Sequence, residues 1–178
     1  MEKINIKQGD FMQVTSAQAN KLLKQLGDEK RVILAKERDS AFFTAAVTEN
    51  LEEARPEYDY AQTQNELTEI DRKIRKIKHA VNVFNSTYVI AEFEITIDEM
   101  LVWLPQLTEM SRKLDVMAQK LPKTRYRSAY NTNIIEYQYA NYSTKQALSD
   151  YNDVTATLAA AQVALDTVNN TVVFEIDI

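Results

Sequence analysis

The stretch Leu67-Thr68-Glu69-Ile70-Asp71-Arg72-Lys73-Ile74-Arg75-Lys76-Ile77-Lys78-His79-Ala80-Val81-Asn82-Val83-Phe84 decides the fold. Leu67, Ile70, Ile74, Ile77, Val81 and Phe84 follow 3-4 spacing without a gap, and the positions between them are mostly charged or polar. That pattern is the a/d seam of a helix about three heptads long. Such a seam needs a partner helix, from the same chain or from another copy. These six residues are therefore a candidate helix–helix interface.

Upstream, Thr15-Ser16-Ala17-Gln18 offers a capping box, and Leu22, Leu23, Leu26, Val32, Ile33, Phe42 and Phe43 lie on or near one helical face. This first helix is expected to end near Asn50 or before Arg55-Pro56, because a residue preceding Pro avoids the α region. Joined by a short connection, it is the natural antiparallel partner of the seam. Residues 1–14 read as an extended lead-in.

Downstream, Tyr88–Ile95 reads as a short strand. Thr96-Ile97-Asp98-Glu99 forms a second capping box, opening a third helix to about Leu121 with Pro105 inside it. A kink is expected at that proline. Residues 123–132 read as a polar loop, and 133–140 as a strand with Ile135, Tyr137 and Tyr139 on one face. Ser143-Thr144-Lys145-Gln146 is a third capping box. The helix it opens, over 143–168, carries Leu148, Tyr151, Thr155, Leu158, Gln162, Leu165 and Val168 as its stripe, widened by Val154 and Ala161. In the terminal strand, 171–178, Val172, Phe174, Ile176 and Ile178 share a face. The expected class is mainly α (α+β): a long helical hairpin or four-helix-bundle-like coiled coil with a small antiparallel sheet of short strands, in a single domain over 1–178.

Composition narrows the chemistry. The 178 residues include no Cys, one His, two Gly and three Pro. Without Cys there are no disulfides, thiolate nucleophiles or Cys-ligated metals. One His excludes two-His zinc motifs and the paired Glu-x-x-His of di-iron bundles. Two Gly exclude the phosphate-binding loop and the dinucleotide fingerprint. No stretch approaches the ~18 apolar residues of a membrane-spanning helix, and residues 1–10 lack the apolar core of a signal peptide. A cytoplasmic protein is expected.

The net charge of −5 hides an asymmetry. Nine Lys/Arg face fourteen Asp/Glu in residues 1–71, eleven face six in 72–127, and one faces six in 128–178. A basic middle between acidic ends suits complementarity within or between chains, or an anionic partner.

The order of elements over residues 57–175 resembles the small bacterial helical proteins labelled septicolysin-like. The residues that carry the resemblance are the heptad helix Leu67–Asn85 running into Ser86-Thr87, the capped helix opening Thr96-Ile97-Asp98-Glu99-Met100-Leu101, and the last helix ending Leu165-Asp166-Thr167-Val168-Asn169-Asn170. The label implies a cytolysin. It brings no catalytic residues with it.

Two basic clusters are candidate anion sites. Arg72, Lys73, Arg75, Lys76 and Lys78 place five cations in eight residues, which can track phosphates or an anionic membrane surface. They also fit a solvated helix face, with Glu69 pairing Lys73 and Asp71 pairing Arg75 at i,i+4. Lys120, Lys123, Arg125 and Arg127, interleaved with Tyr126 and Tyr130, suit single-stranded nucleic acid, where bases stack and phosphates pair. An ordinary polar loop is the alternative. Tyr137, Tyr139, Tyr142 and Tyr151 fit either a binding face or a packed one.

His79 has no evident nucleophile or carboxylate partner, and Asp98 and Glu99 already have a capping role. Glu49, Glu52 and Glu53 form no site with assignable roles. No enzyme activity, cofactor, metal or small-molecule substrate is expected. The leading expectation is a helical interaction protein that self-associates through its heptad seam, with another protein as the other possible partner. An anion-binding module for nucleic acid or an anionic membrane is the alternative.

Overall fold

The computed structural model describes residues 11–126 and 135–178. Its elements run β1 (Phe11–Thr15), α1 (Ser16–Ser40), α2 (Leu51–Ala54), α3 (Tyr60–Thr87), β2 (Val89–Ile90), β3 (Ile95–Thr96), α4 (Ile97–Ala118), β4 (Lys123–Tyr126), β5 (Glu136–Tyr139), α5 (Thr144–Thr171) and β6 (Val173–Asp177). The class is mainly α with short antiparallel strands. Those strands form three separate pairs, β1–β6, β2–β3 and β4–β5, rather than one sheet. By contacts the chain divides into two compact units, one holding residues up to Asn85 and from Asn169 onward, the other Ser86–Val168.

In the first unit α1 and α3 form the antiparallel hairpin. Lys30 on α1 bonds Asp71 on α3 at 2.6 Å, and Glu37 nearer the α1 end accepts from Gln64 nearer the α3 start at 2.6 Å. Thr15 caps α1 with the full reciprocal box, its hydroxyl accepting from the Gln18 amide and its own amide donating to the Gln18 side chain. The core sits where β1 and β6 cover the hairpin. Val14, Ala19, Ile77 and Ile176 are buried together, with Leu22, Leu23, Leu26, Val81, Phe174 and Ile178 packed around them. Phe84 stacks on Phe174 at 4.6 Å between ring centroids. β6 alternates as expected, with Phe174, Ile176 and Ile178 toward this core. The β1–β6 pair runs in antiparallel register from Phe11↔Asp177 to Thr15↔Val173.

The first helix ends at Ser40, ten residues short of the expected Asn50. Glu49 accepts from the Ala46 amide, and Asn50 caps the short α2 by accepting from the Glu52 amide. Both side chains bond backbone locally, which competes with helix propagation. Phe42 and Phe43, expected on the helix stripe, lie beyond the end of α1 and are exposed.

In the second unit the expected strand 88–95 is two short strands flanking a turn. The amides of Phe93 and Glu94 donate to the Ile90 carbonyl, and Glu94 takes the left-handed conformation with φ of 56°. Thr96 and Glu99 close the second capping box around the start of α4. α4 is continuous through Pro105 from Ile97 to Ala118. The third box is half made: Ser143 accepts from the Gln146 amide, but the Gln146 side chain turns to Asp150. α5 runs on through Asn169 and Asn170 to Thr171, leaving the last strand to begin at Val173. Its buried stripe is Ala147, Ala161, Ala164, Leu165 and Val168, while Leu148, Thr155 and Gln162 face solvent.

Candidate functional site

The seam residues are spent inside the chain. Leu67, Ile70, Ile77 and Phe84 are buried, and Ile74 and Val81 are half-buried.

Two of the five cations of the basic run on α3 are engaged as well. Arg72 pairs with Glu69 at 2.8 Å, one turn back, and Lys76 reaches Asp177 on β6 at 2.8 Å. Asp71 is taken by Lys30 and Glu69 by Arg72, so the expected Asp71–Arg75 and Glu69–Lys73 pairs do not form. Lys73 lies on the wall of an apolar groove with Leu22, Leu26, Ile77 and Ile178. Arg75, Lys78 and His79 are exposed on the outer side of the helix.

A polar cleft lies at the other end of the hairpin, lined by Glu37, Glu57, Tyr58, Asp59 and Glu66. The Tyr58 hydroxyl donates to Glu37 at 2.8 Å. Desolvation and the neighbouring carboxylate push the Tyr58 hydroxyl above the usual tyrosine range. Among the described residues no group of three His, Cys, Asp or Glu side chains is placed to hold a metal. No described helix is long and apolar enough to cross a membrane.

The second basic cluster is arranged differently. Residues 123–126, expected in a loop, form β4 and pair antiparallel with β5. Alternating Thr124 and Tyr126 with Lys123 and Arg125 gives this segment a period of two and two good strand formers, the signal that could have identified it. The register sets Lys123 opposite Tyr139 and Arg125 opposite Tyr137. Directly opposed residues in an antiparallel pair share a face. One face of the ribbon thus carries two cations and two tyrosines, Lys123, Arg125, Tyr137 and Tyr139. The other carries Thr124, Tyr126, Glu136 and Gln138.

Every residue of β4 and β5 is exposed, with Tyr137 at 45% and Tyr139 at 62%. Their rings stand 6.4 Å apart between centroids, tilted by 52°. The Lys123 ammonium sits over both, 4.0 Å from the centre of Tyr137 and 5.4 Å from that of Tyr139. At the base, the Ala140 amide donates to the Pro122 carbonyl, and the Tyr142 hydroxyl donates to the Met117 carbonyl at the end of α4. Lys120 joins Thr124, Gln138 and Tyr142 around a hollow of about 320 Å³ beside the ribbon. Tyr142 is thereby a tether, and half-buried Tyr151 belongs to α5. Arg127 and Tyr130 lie outside the described residues.

The chain is similar to a solved crystal structure of a functionally unknown conserved protein from Corynebacterium diphtheriae. The two share 13% identity with a TM-score of 0.53, over 92% of this chain and 99% of that one. At that identity the likeness concerns the fold alone. No family model matches the chain, and no curated protein does.

Proposed function

We propose that this protein is a non-enzymatic binding protein, a helical scaffold that presents the β4–β5 ribbon to a polyanionic ligand. One observation carries the reading: Lys123 and Arg125 share a solvent-exposed face with Tyr137 and Tyr139. A two-stranded ribbon open on both faces buries little of its own surface and is marginal alone. Its exposed cations and aromatic rings are then available to a ligand. Lys120, Lys123 and Arg125 set three cations against the one carboxylate of Glu136 in the described part of this region. Such an excess attracts an anion at long range and weakens with salt.

The test is retention on immobilised heparin, a polyanion of no defined shape. The wild-type protein is expected to bind at low salt, and the Lys123→Glu/Arg125→Glu double variant to elute earlier. Flow-through of the wild type at low salt, or identical elution of the variant, contradicts the reading.

A second reading is self-association through the tip between α1 and α3. Phe42, Val47 and Leu51 are largely exposed there, and Phe43 is partly covered by Arg55. They fall within one ten-residue stretch, and an apolar patch formed there would be an interaction site. Light scattering behind size exclusion tests it. A dimer that the Phe42→Ser/Val47→Ser variant dissociates supports it, and a monomer at every concentration contradicts it.

A further inference from the structure

We infer that the ligand of the ribbon is single-stranded nucleic acid, with two successive bases on the rings of Tyr137 and Tyr139 and the backbone on Lys123 and Arg125. This rests on the polyanion reading above and narrows it. A polyanion in general needs only the cations. The tyrosines add something only a ligand with flat, exposed π-faces can use. In a duplex those faces are stacked away and only base edges reach a ribbon in the groove. A single strand offers both at once, alternating phosphate and unstacked base.

The geometry matches that alternation. Residues two apart on a strand stand roughly 6.6 Å from each other along it, on the same face. The two ring centroids are 6.4 Å apart, so neighbouring bases meet neighbouring rings without either tyrosine blocking the other. The paired strand sets the cations beside those rings: Lys123 is opposite Tyr139, and Arg125 is opposite Tyr137. Adjacent strands are about 4.8 Å apart, so a strand laid with its bases over β5 carries its phosphates over β4.

Lys123 has a double role. In the free protein its ammonium occupies the ring faces. It holds the place that a base takes in the complex and swings to a phosphate when the base arrives. The opposite face, with Glu136 between Gln138 and Tyr126, lacks this pairing of two cations with two rings.

The experiment is a fluorescence-anisotropy titration of the full chain with labelled oligothymidylate, its duplex with oligoadenylate, and heparin as competitor. The single strand is expected to bind at least about tenfold more tightly than the duplex. Tyr137→Leu and Tyr139→Leu are each expected to lose about tenfold or more in single-strand affinity, since stacking on one ring contributes that much. Heparin retention should be unchanged in both, and Tyr137→Phe should keep the affinity because the ring remains. Lys123→Gln should lower the slope of log affinity against log salt by about 0.7, the value for one phosphate contact on a single strand. Equal binding of single strand and duplex overturns the inference, as does an unchanged affinity in both Tyr→Leu variants, while heparin retention leaves the polyanion reading standing. If neither heparin nor any oligonucleotide binds, both fall together.

Discussion

The Lys123 ammonium lies 4.0 Å from the centre of the Tyr137 ring, across the β4–β5 pair. A cation over an exposed aromatic face stabilises by about 0.5–1 kcal/mol. In a two-stranded ribbon that is a sizeable share of what holds the strands together. A double-mutant cycle with Lys123→Gln and Tyr137→Leu should therefore show a coupling of about 0.5–1 kcal/mol. The readout is hydrogen exchange at the Ala140 amide, whose partner is the Pro122 carbonyl at the ribbon base. Additive effects of the two substitutions would show that the contact contributes nothing.

Ile77 is the centre of the first unit's core, 1% exposed among Val14, Ala19 and Ile176. Ile77→Ala should cost about 2–5 kcal/mol, the transfer term plus the cavity left behind. Ile74→Ala, half-buried one turn earlier, should cost less. Urea unfolding measures both, as a shift of midpoint at constant slope. Equal costs at the two positions would mean that the seam is not closed within the chain.

Gly27 sits inside α1 without needing to be glycine. Its φ is not positive, and nothing lies within 4 Å of where a Cβ would be. Gly27→Ala should stabilise the protein by roughly 0.5–1 kcal/mol, by restricting the unfolded chain and favouring helix. Thermal unfolding checks it, and a lowered midpoint would contradict the open surroundings of the site.

Glu99 closes the capping box of α4, and the Thr96 amide and hydroxyl bonded to it hold its carboxyl below the usual glutamate range. A carboxyl depressed in the folded state stabilises above its unfolded pKa, and that contribution disappears as pH falls through the folded one. Acid should therefore loosen the start of α4, and Glu99→Gln should remove that part of the pH dependence while keeping an acceptor at the cap. An NMR titration of the Glu99 carboxyl reads it directly. A midpoint at or above that of an unstructured glutamate would rule out the capped carboxylate.

The sequence was most legible where large apolar residues repeat. Leu67 to Phe84 marked α3, and Thr15 and Thr96 marked the starts of α1 and α4, because a box of two residue types at fixed spacing has few other uses. It was misleading where burial went to small residues. α5 buries Ala147, Ala161 and Ala164, whose side chains carry little hydrophobic signal, while Leu148 and Gln162 face out. It was silent on long-range pairing. Nothing near Lys76 announces Asp177, and nothing near Lys30 announces Asp71. The ribbon falls between these cases. Its cations and its tyrosines were each visible, but register alone puts Lys123 and Arg125 on the face of Tyr137 and Tyr139. A strand pairing is a relation between segments, and a single segment does not contain it.

The central claim is that the binding face is the ribbon rather than the basic run of α3. An amide chemical-shift titration of the full chain with oligothymidylate at low salt tests it most directly. Shifts concentrated in residues 120–126 and 135–142 are predicted, with residues 72–79 unmoved. Shifts centred on Arg72 to Lys78, or none anywhere at concentrations that saturate a weak complex, would contradict it.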